Sequence, residues 1–166
     1  MWILETNNAW DELYACLDSP EFDVRSRASS ALTHSGENRF VAPLLKRMSE
    51  DDNQDYNYGM ILRGIVDASS VGLLLEYLSN ATPTMTKGIL ELLGATKDLQ
   101  VFSHLLAALK DPNAEIRKGA VLGLMHLENP QAIEPLQGLL GDPSEDIQRL
   151  AAAALYEFEM RSSHSA

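Results

Sequence analysis

Four histidines, one cysteine and one acidic cluster are the residues of this 166-residue chain whose types could do chemistry. His34 and His126 occupy nearly the same slot of an internal repeat, so stacked repeats would bring two imidazoles to one face. A metal site needs further ligands beside such a pair. Helix-end histidines that face solvent or a partner are the simpler expectation. His104 falls in a short helix and His164 in the C-terminal tail. Asp51-x-Asn53-x-Asp55 has the spacing that opens an EF-hand calcium loop, but Tyr56 stands where that loop needs glycine and Leu62 where it needs a bidentate glutamate. Those acids are expected instead to favour the N-terminus of the next helix. Cys16 is the only cysteine, which excludes an intramolecular disulfide and a thiolate metal cluster. Beside Leu17 on an apolar stripe, it reads as a small buried hydrophobe. There is no phosphate-cradling glycine loop and no Gly-x-Ser-x-Gly elbow. Without convergent titratable groups, the expectation is a protein that is not an enzyme, with no catalytic residue, metal or cofactor.

What must position these residues is a repeat of about 31 residues. Leu17, Met48, Leu78, Leu109 and Leu140 recur at that interval. Val24, Met85, Ile116 and Ile147 follow four of them at seven residues, Ala28, Ile89, Ala120 and Ala151 at eleven, and Leu32, Leu93, Leu124 and Leu155 at fifteen. The inner spacings trace one face of an α-helix. Self-similarity at this length signals a solenoid, whose units bury their apolar faces only by stacking. All seven prolines share repeat-equivalent positions: Pro20, Pro83, Pro112, Pro130 and Pro143 each follow a capping residue, and Pro43 and Pro135 each precede a leucine. Capping residue plus proline is a helix start. The pattern predicts helices over 8–17, 20–34, 38–48, 54–66, 69–78, 83–95, 98–109, 112–127, 130–140 and 143–159, with no strand.

These helices make one domain over 1–160, with repeat units at about 11–34, 35–66, 67–96, 97–127 and 128–159 and a frayed tail over 161–166. Trp2 and Trp10 are placed to cover one end of the core, and Tyr156, Phe158 and Met160 the other. The second repeat is irregular: Arg63 takes the leucine slot unless the register slips. Gly88 and Gly119 share a slot, where glycine costs about 1 kcal/mol against alanine. Either a partner or a neighbouring helix would approach closely there.

The net charge is −11, from 24 acids and 13 Lys and Arg. It argues against nucleic acid and anionic membranes, which need positive surface, and permits a basic protein partner. No apolar run approaches the roughly 20 residues of a membrane span, and the N-terminus lacks the form of a signal peptide. A cytoplasmic protein is expected.

The string Asp111-Pro112-x-x-x-Ile116-Arg117-x-x-Ala120-x-x-x-Leu124, followed by Asn129-Pro130-x-Ala132-Ile133-x-Pro135-Leu136, resembles the HEAT-like repeats of phycobilisome lyase subunits. The resemblance covers about residues 11–159. It implies an all-α fold, a right-handed α-solenoid of about five helical hairpins, with the longer helix of each lining a concave face. It also implies that the arginine after the Val/Ile position pairs with turn aspartates of neighbouring units; Arg25 and Arg117 match, while Thr86 and Gln148 replace the other two. The iron-dependent deoxyhypusine hydroxylases, of similar helical-repeat architecture, carry His-Glu pairs. No histidine here is followed by glutamate.

Carried over by position, the concave face would hold Phe22, Asp23, Ser26, Arg27, Ser30 and His34 from the first repeat and Asn57, Tyr58 and Ile61 from the second. Lys87 and Glu91 would come from the third, Glu115, Lys118, Leu122 and His126 from the fourth, and Arg149 from the fifth. The resulting expectation is a non-catalytic scaffold binding a protein or peptide in that groove, with Phe22, Tyr58 and Leu122 as apolar contacts. The family resemblance alone implies a second reading, a phycobilin lyase subunit or relative. Acidity, size and repeat fold suggest a third, an immunity-type inhibitor of a basic toxin.

Overall fold

Aspartate and asparagine at a 31-residue interval start the short helices. The side chains of Asp67, Asp98 and Asn129 accept from the N–H two residues on, at 2.9, 2.9 and 3.1 Å. That contact tightens the first turn, so each short helix enters through a 3-10 turn. The computed structural model describes residues 2–50 and 58–164, with side chains over 9–50 and 58–163. Asn57, the trio Asp51, Asn53 and Asp55, and the Trp2 side chain lie outside the described residues.

The helices are α1 Trp2–Ala15, α2 Phe22–Thr33, α3 Val41–Glu50, α4 Tyr58–Ile65, α5 Val71–Leu78, α6 Pro83–Ala95, α7 Phe102–Ala108, α8 Ala114–Leu127, α9 Ile133–Gly138 and α10 Glu145–His164. No strand occurs among the described residues. The fold is all-α, an α-solenoid of HEAT-like hairpins. Helix α1 starts earlier than expected because no proline or glycine interrupts residues 2–8. The tail expected to fray from 161 continues α10 to His164, tied by Arg161 to Glu128 at 3.0 Å and to Glu157 at 3.4 Å.

Packing divides the chain into two compact units, Met1–Val66 and Asp67–Ala166. In the first, Leu17, Leu32, Leu44, Leu45, Ile61 and Leu62 are fully buried, each contributing about 1.5–3 kcal/mol. Tyr14 stacks on Phe40 at 5.0 Å, with Arg47 over the outer face of Tyr14 and Arg39 over Phe40. Asp18 holds Arg47 in a bidentate pair at 2.7 and 2.9 Å. The irregular repeat resolves by slipping one residue: Leu62 is buried in the leucine slot and Arg63 is exposed.

In the second unit, α6 and α8 pack backbone to backbone. A Cβ on Gly94 would stand 1.9 Å from the Gly123 carbonyl oxygen, one on Gly123 would stand 2.4 Å from that of Leu90, and one on Gly119 would meet the Lys87 backbone at 2.7 Å. The glycine at 119 therefore serves helix packing, one of the two reasons its spacing allowed. Leu90, Leu93, Leu105, Val121, Leu124 and Leu136 fill the core around this contact.

The obstructing atoms are backbone, so they cannot swing aside. Gly123→Ala should lose about 2–3 kcal/mol despite alanine's better helix propensity. Gly72→Ala, where a Cβ meets nothing within 4 Å, should change stability by less than about 1 kcal/mol. Urea unfolding of the two variants checks this.

Candidate functional site

The long helices α2, α8 and α10 do not start at the capping residue before proline. At Asp111-Pro112 and Asp142-Pro143 the carboxylate accepts from the N–H two residues on, Asn113 and Ser144, each at 2.8 Å. The helix begins only after that turn, at Ala114 and Glu145. Such a turn leaves its carbonyls without helical partners. Arg117 Nη1 donates to the carbonyls of Asp111 and Pro112 at 2.8 and 3.0 Å. Arg25 does the same for Ser19 and Pro20 at 2.9 and 2.8 Å, and Gln148 for Asp142 at 2.6 Å. Thr86 has no such reach, and there the helix starts directly at Pro83 with Thr82 as its cap.

Arg117 also reaches the next repeat. Its Nε and Nη2 donate to both carboxylate oxygens of Asp142 at 2.8 and 2.7 Å, and both residues are buried. This is the arginine–aspartate pairing that the family resemblance implied. The Arg117 guanidinium holds the Asp142 carboxyl below its usual range, with the Ser144 N–H adding to the effect and burial opposing it. The contact orients α8 against α10.

Within the second unit, one face of α6, α8 and α10 carries repeat-equivalent rows. Lys87, Lys118 and Arg149 form one row at 31-residue intervals. Lys87 pairs with Glu115 at 3.1 Å, and Arg149 pairs with Asp146 on its own helix. Lys118 is half-buried between them and has no ion pair among the described residues. One turn further lie Glu91 and Leu122, both half-buried, and exposed Ala153. His126 follows, half-buried, with its backbone carbonyl accepting from Lys97 Nζ. Lys97 also pairs with Glu128 at 3.0 Å, and this contact lowers the Glu128 carboxyl from its ordinary value.

Of the remaining expected positions, Phe22, Asp23, Ser26, Arg27, Ser30 and His34 are exposed on α2 in the first unit. Phe22 is 72% exposed with the Arg25 guanidinium 5.8 Å from its ring centroid. His34 Nδ1 donates to the Ser30 carbonyl at 2.7 Å. Tyr58 and Ile61 are corrections. Both are buried, and Tyr58 hydrogen-bonds Arg47. The one-residue slip moves Tyr58 into the core slot of Ala28 and Ile89, so it offers no contact surface. Lys87, Lys118 and Arg149 were all among the positions expected from the sequence; that Lys118 alone of the three has no ion pair among the described residues follows only from the structure. Among the described residues no three His, Cys, Asp or Glu side chains converge as a metal site, and no single helix is long and apolar enough to cross a membrane.

HEAT repeats match the chain over residues 71–157, slightly more than half its length. The chain belongs to the HEAT-repeat family. No curated protein matches this HEAT-repeat chain in sequence. Among solved structures it is similar to human deoxyhypusine hydroxylase in complex with glycerol, with a TM-score of 0.56 and 19% identity. The match covers 92% of this chain and 63% of that one, a likeness of fold. It corrects the expectation that the chain is not an enzyme. A neighbour with the same helical-repeat architecture is an enzyme, so the repeats are no argument against catalysis.

The sign of the Asp142 effect sets a pH window. Its carboxyl is depressed in the folded state, so the stabilisation is present above the unfolded value of about 3.9 and is lost as pH falls through the lower folded value. Thermal melts between pH 5 and pH 2 should show Asp142→Asn losing less stability on acidification than the unaltered protein. At neutral pH, Arg117→Met strands a buried carboxylate and should cost about 3–5 kcal/mol.

Proposed function

We propose that this protein binds a protein or peptide segment on the α6–α8–α10 face of its second unit. The segment supplies a carboxylate opposite Lys118 and an apolar side chain against Leu122. The observation that carries this is the row Lys87, Lys118 and Arg149. Its outer cations are matched by Glu115 and Asp146, while the central, half-buried ammonium has no ion pair among the described residues. A partly desolvated cation gains most from a carboxylate that arrives with a ligand. Leu122, one turn away on the same face, gives an apolar anchor beside that charge. The net charge of −11 suggested a basic partner from the whole surface; the local chemistry of this face favours an acidic segment.

Rigidity supports the same reading. Glycine-mediated contact between α6 and α8 and the Arg117–Asp142 pair hold the three helices before any ligand arrives. A preorganised surface avoids part of the entropy cost of binding.

Selection of displayed random peptides on the protein should enrich sequences that combine Asp or Glu with a nearby large apolar residue. Lys118→Glu should weaken the selected peptides about tenfold or more, equivalent to about 1.4 kcal/mol. Combining it with Leu122→Glu should abolish binding while helical circular dichroism stays unchanged. Peptides without acidic residues, or affinity indifferent to both changes, would refute the assignment.

A further inference from the structure

Each long helix of the second unit turns one face toward the helix that follows it. On α6 that face holds Thr86, Leu90 and Gly94, and on α8 the equivalent slots are Arg117, Val121 and Met125. Leu90 is buried against α8 and Val121 is fully buried, and Arg117 reaches across to Asp142. The matching slots of α10 are Gln148, Ala152 and Tyr156. Here the environment reverses: Ala152 is exposed and Tyr156 is 62% exposed. Of the aromatic and apolar residues expected to close this end, only Phe158 is buried; Tyr156 and Met160 face outward. The stacking face of α10 is thus a small-residue notch, Ala152 and Ala153, beside an aromatic knob, Tyr156.

We infer that this face of α10 docks on the same face of a second copy of the chain, antiparallel and related by a two-fold axis. The residue pattern is self-complementary in that arrangement. With the axis at the level of Ala154, Ala152 stands opposite the second copy's Tyr156, so each knob enters the other copy's notch. The same register sets Arg149, which within one copy pairs with Asp146 on the surface of its own helix, opposite the second copy's Glu159, and both are exposed. In a two-fold interface each such contact occurs twice, so the pattern gives two knob-in-notch contacts and two ion pairs. A parallel arrangement would set Tyr156 against Tyr156 and Glu159 against Glu159. One helix face lies at the small end of specific interfaces, so the association is weak and depends on concentration.

The test is sedimentation velocity on the full chain, from about 5 to about 500 μM, a range that brackets a weak dimer. The mass should rise from 18.3 kDa toward twice that value. Tyr156→Glu should weaken the dimer about tenfold or more. Arg149→Glu should weaken it comparably, and Arg149→Glu with Glu159→Arg should restore it, a rescue that general surface effects would not produce. All three positions are exposed, so thermal melts should not move. A monomer mass at every concentration overturns the proposal. So does a dimer indifferent to Tyr156→Glu, or a charge exchange that fails to rescue. Tyr156→Glu leaves Lys118 and Leu122 intact and should not change binding of an acidic peptide, so failure here is separable from failure of the proposed binding face.

Discussion

The guanidinium of Arg117 meets two demands at once. It takes up the two carbonyls left over by its own Asp-Pro turn and both carboxylate oxygens of the next one. The first contact lets α8 begin two residues late without stranded backbone acceptors. The second places the start of α10 relative to α8. A buried ion pair is weak evidence of net stability; its stronger effect here is geometric, because a planar fork accepts its partners in only one arrangement. Gln148 retains the contact to its own turn without the guanidinium fork. Thr86 has neither, and its helix starts accordingly at the proline.

Close backbone approach supplies the other constraint. Gly94, Gly119 and Gly123 let α6 and α8 touch where any side chain would push them apart, and the apolar residues around them fill the space so defined. The first unit relies on different chemistry. There the Tyr14–Phe40 stack lies between two arginines, each held by an acid: Arg47 by Asp18 and Arg39 by Asp11 and Glu37. Left-handed backbone at the ends of three repeats shows how context replaces propensity. Gly36, Lys97 and Glu128 share one slot with φ near +60°. The two non-glycine residues there are held by their mutual ion pair and by the bond from Lys97 to the His126 carbonyl.

Both proposed surfaces lie where repeat-equivalent positions differ. Repetition aligns Lys87, Lys118 and Arg149, and the local acids then distinguish them by pairing the outer two. It likewise aligns Leu90, Val121 and Ala152, and burial distinguishes the exposed last. In both cases the repeat supplies the register and a single departure from it supplies the chemistry.

Much of this was legible in the chain itself. Helix starts at Asp67, Asp98 and Asn129, the repeat boundaries and most core positions follow from a 31-residue period in caps, prolines and apolar residues, because each is a local rule. Three features were decided only by tertiary structure. The register of α4 depended on whether Leu62 or Arg63 met the core, a one-residue choice that local propensity does not resolve and burial does. Tyr58 went inward with that choice. The role of Gly119 rested on which backbone came near it. Pairing of cations and exposure of α10 are relations between helices, set by distances across the fold, so no reading along one helix contains them.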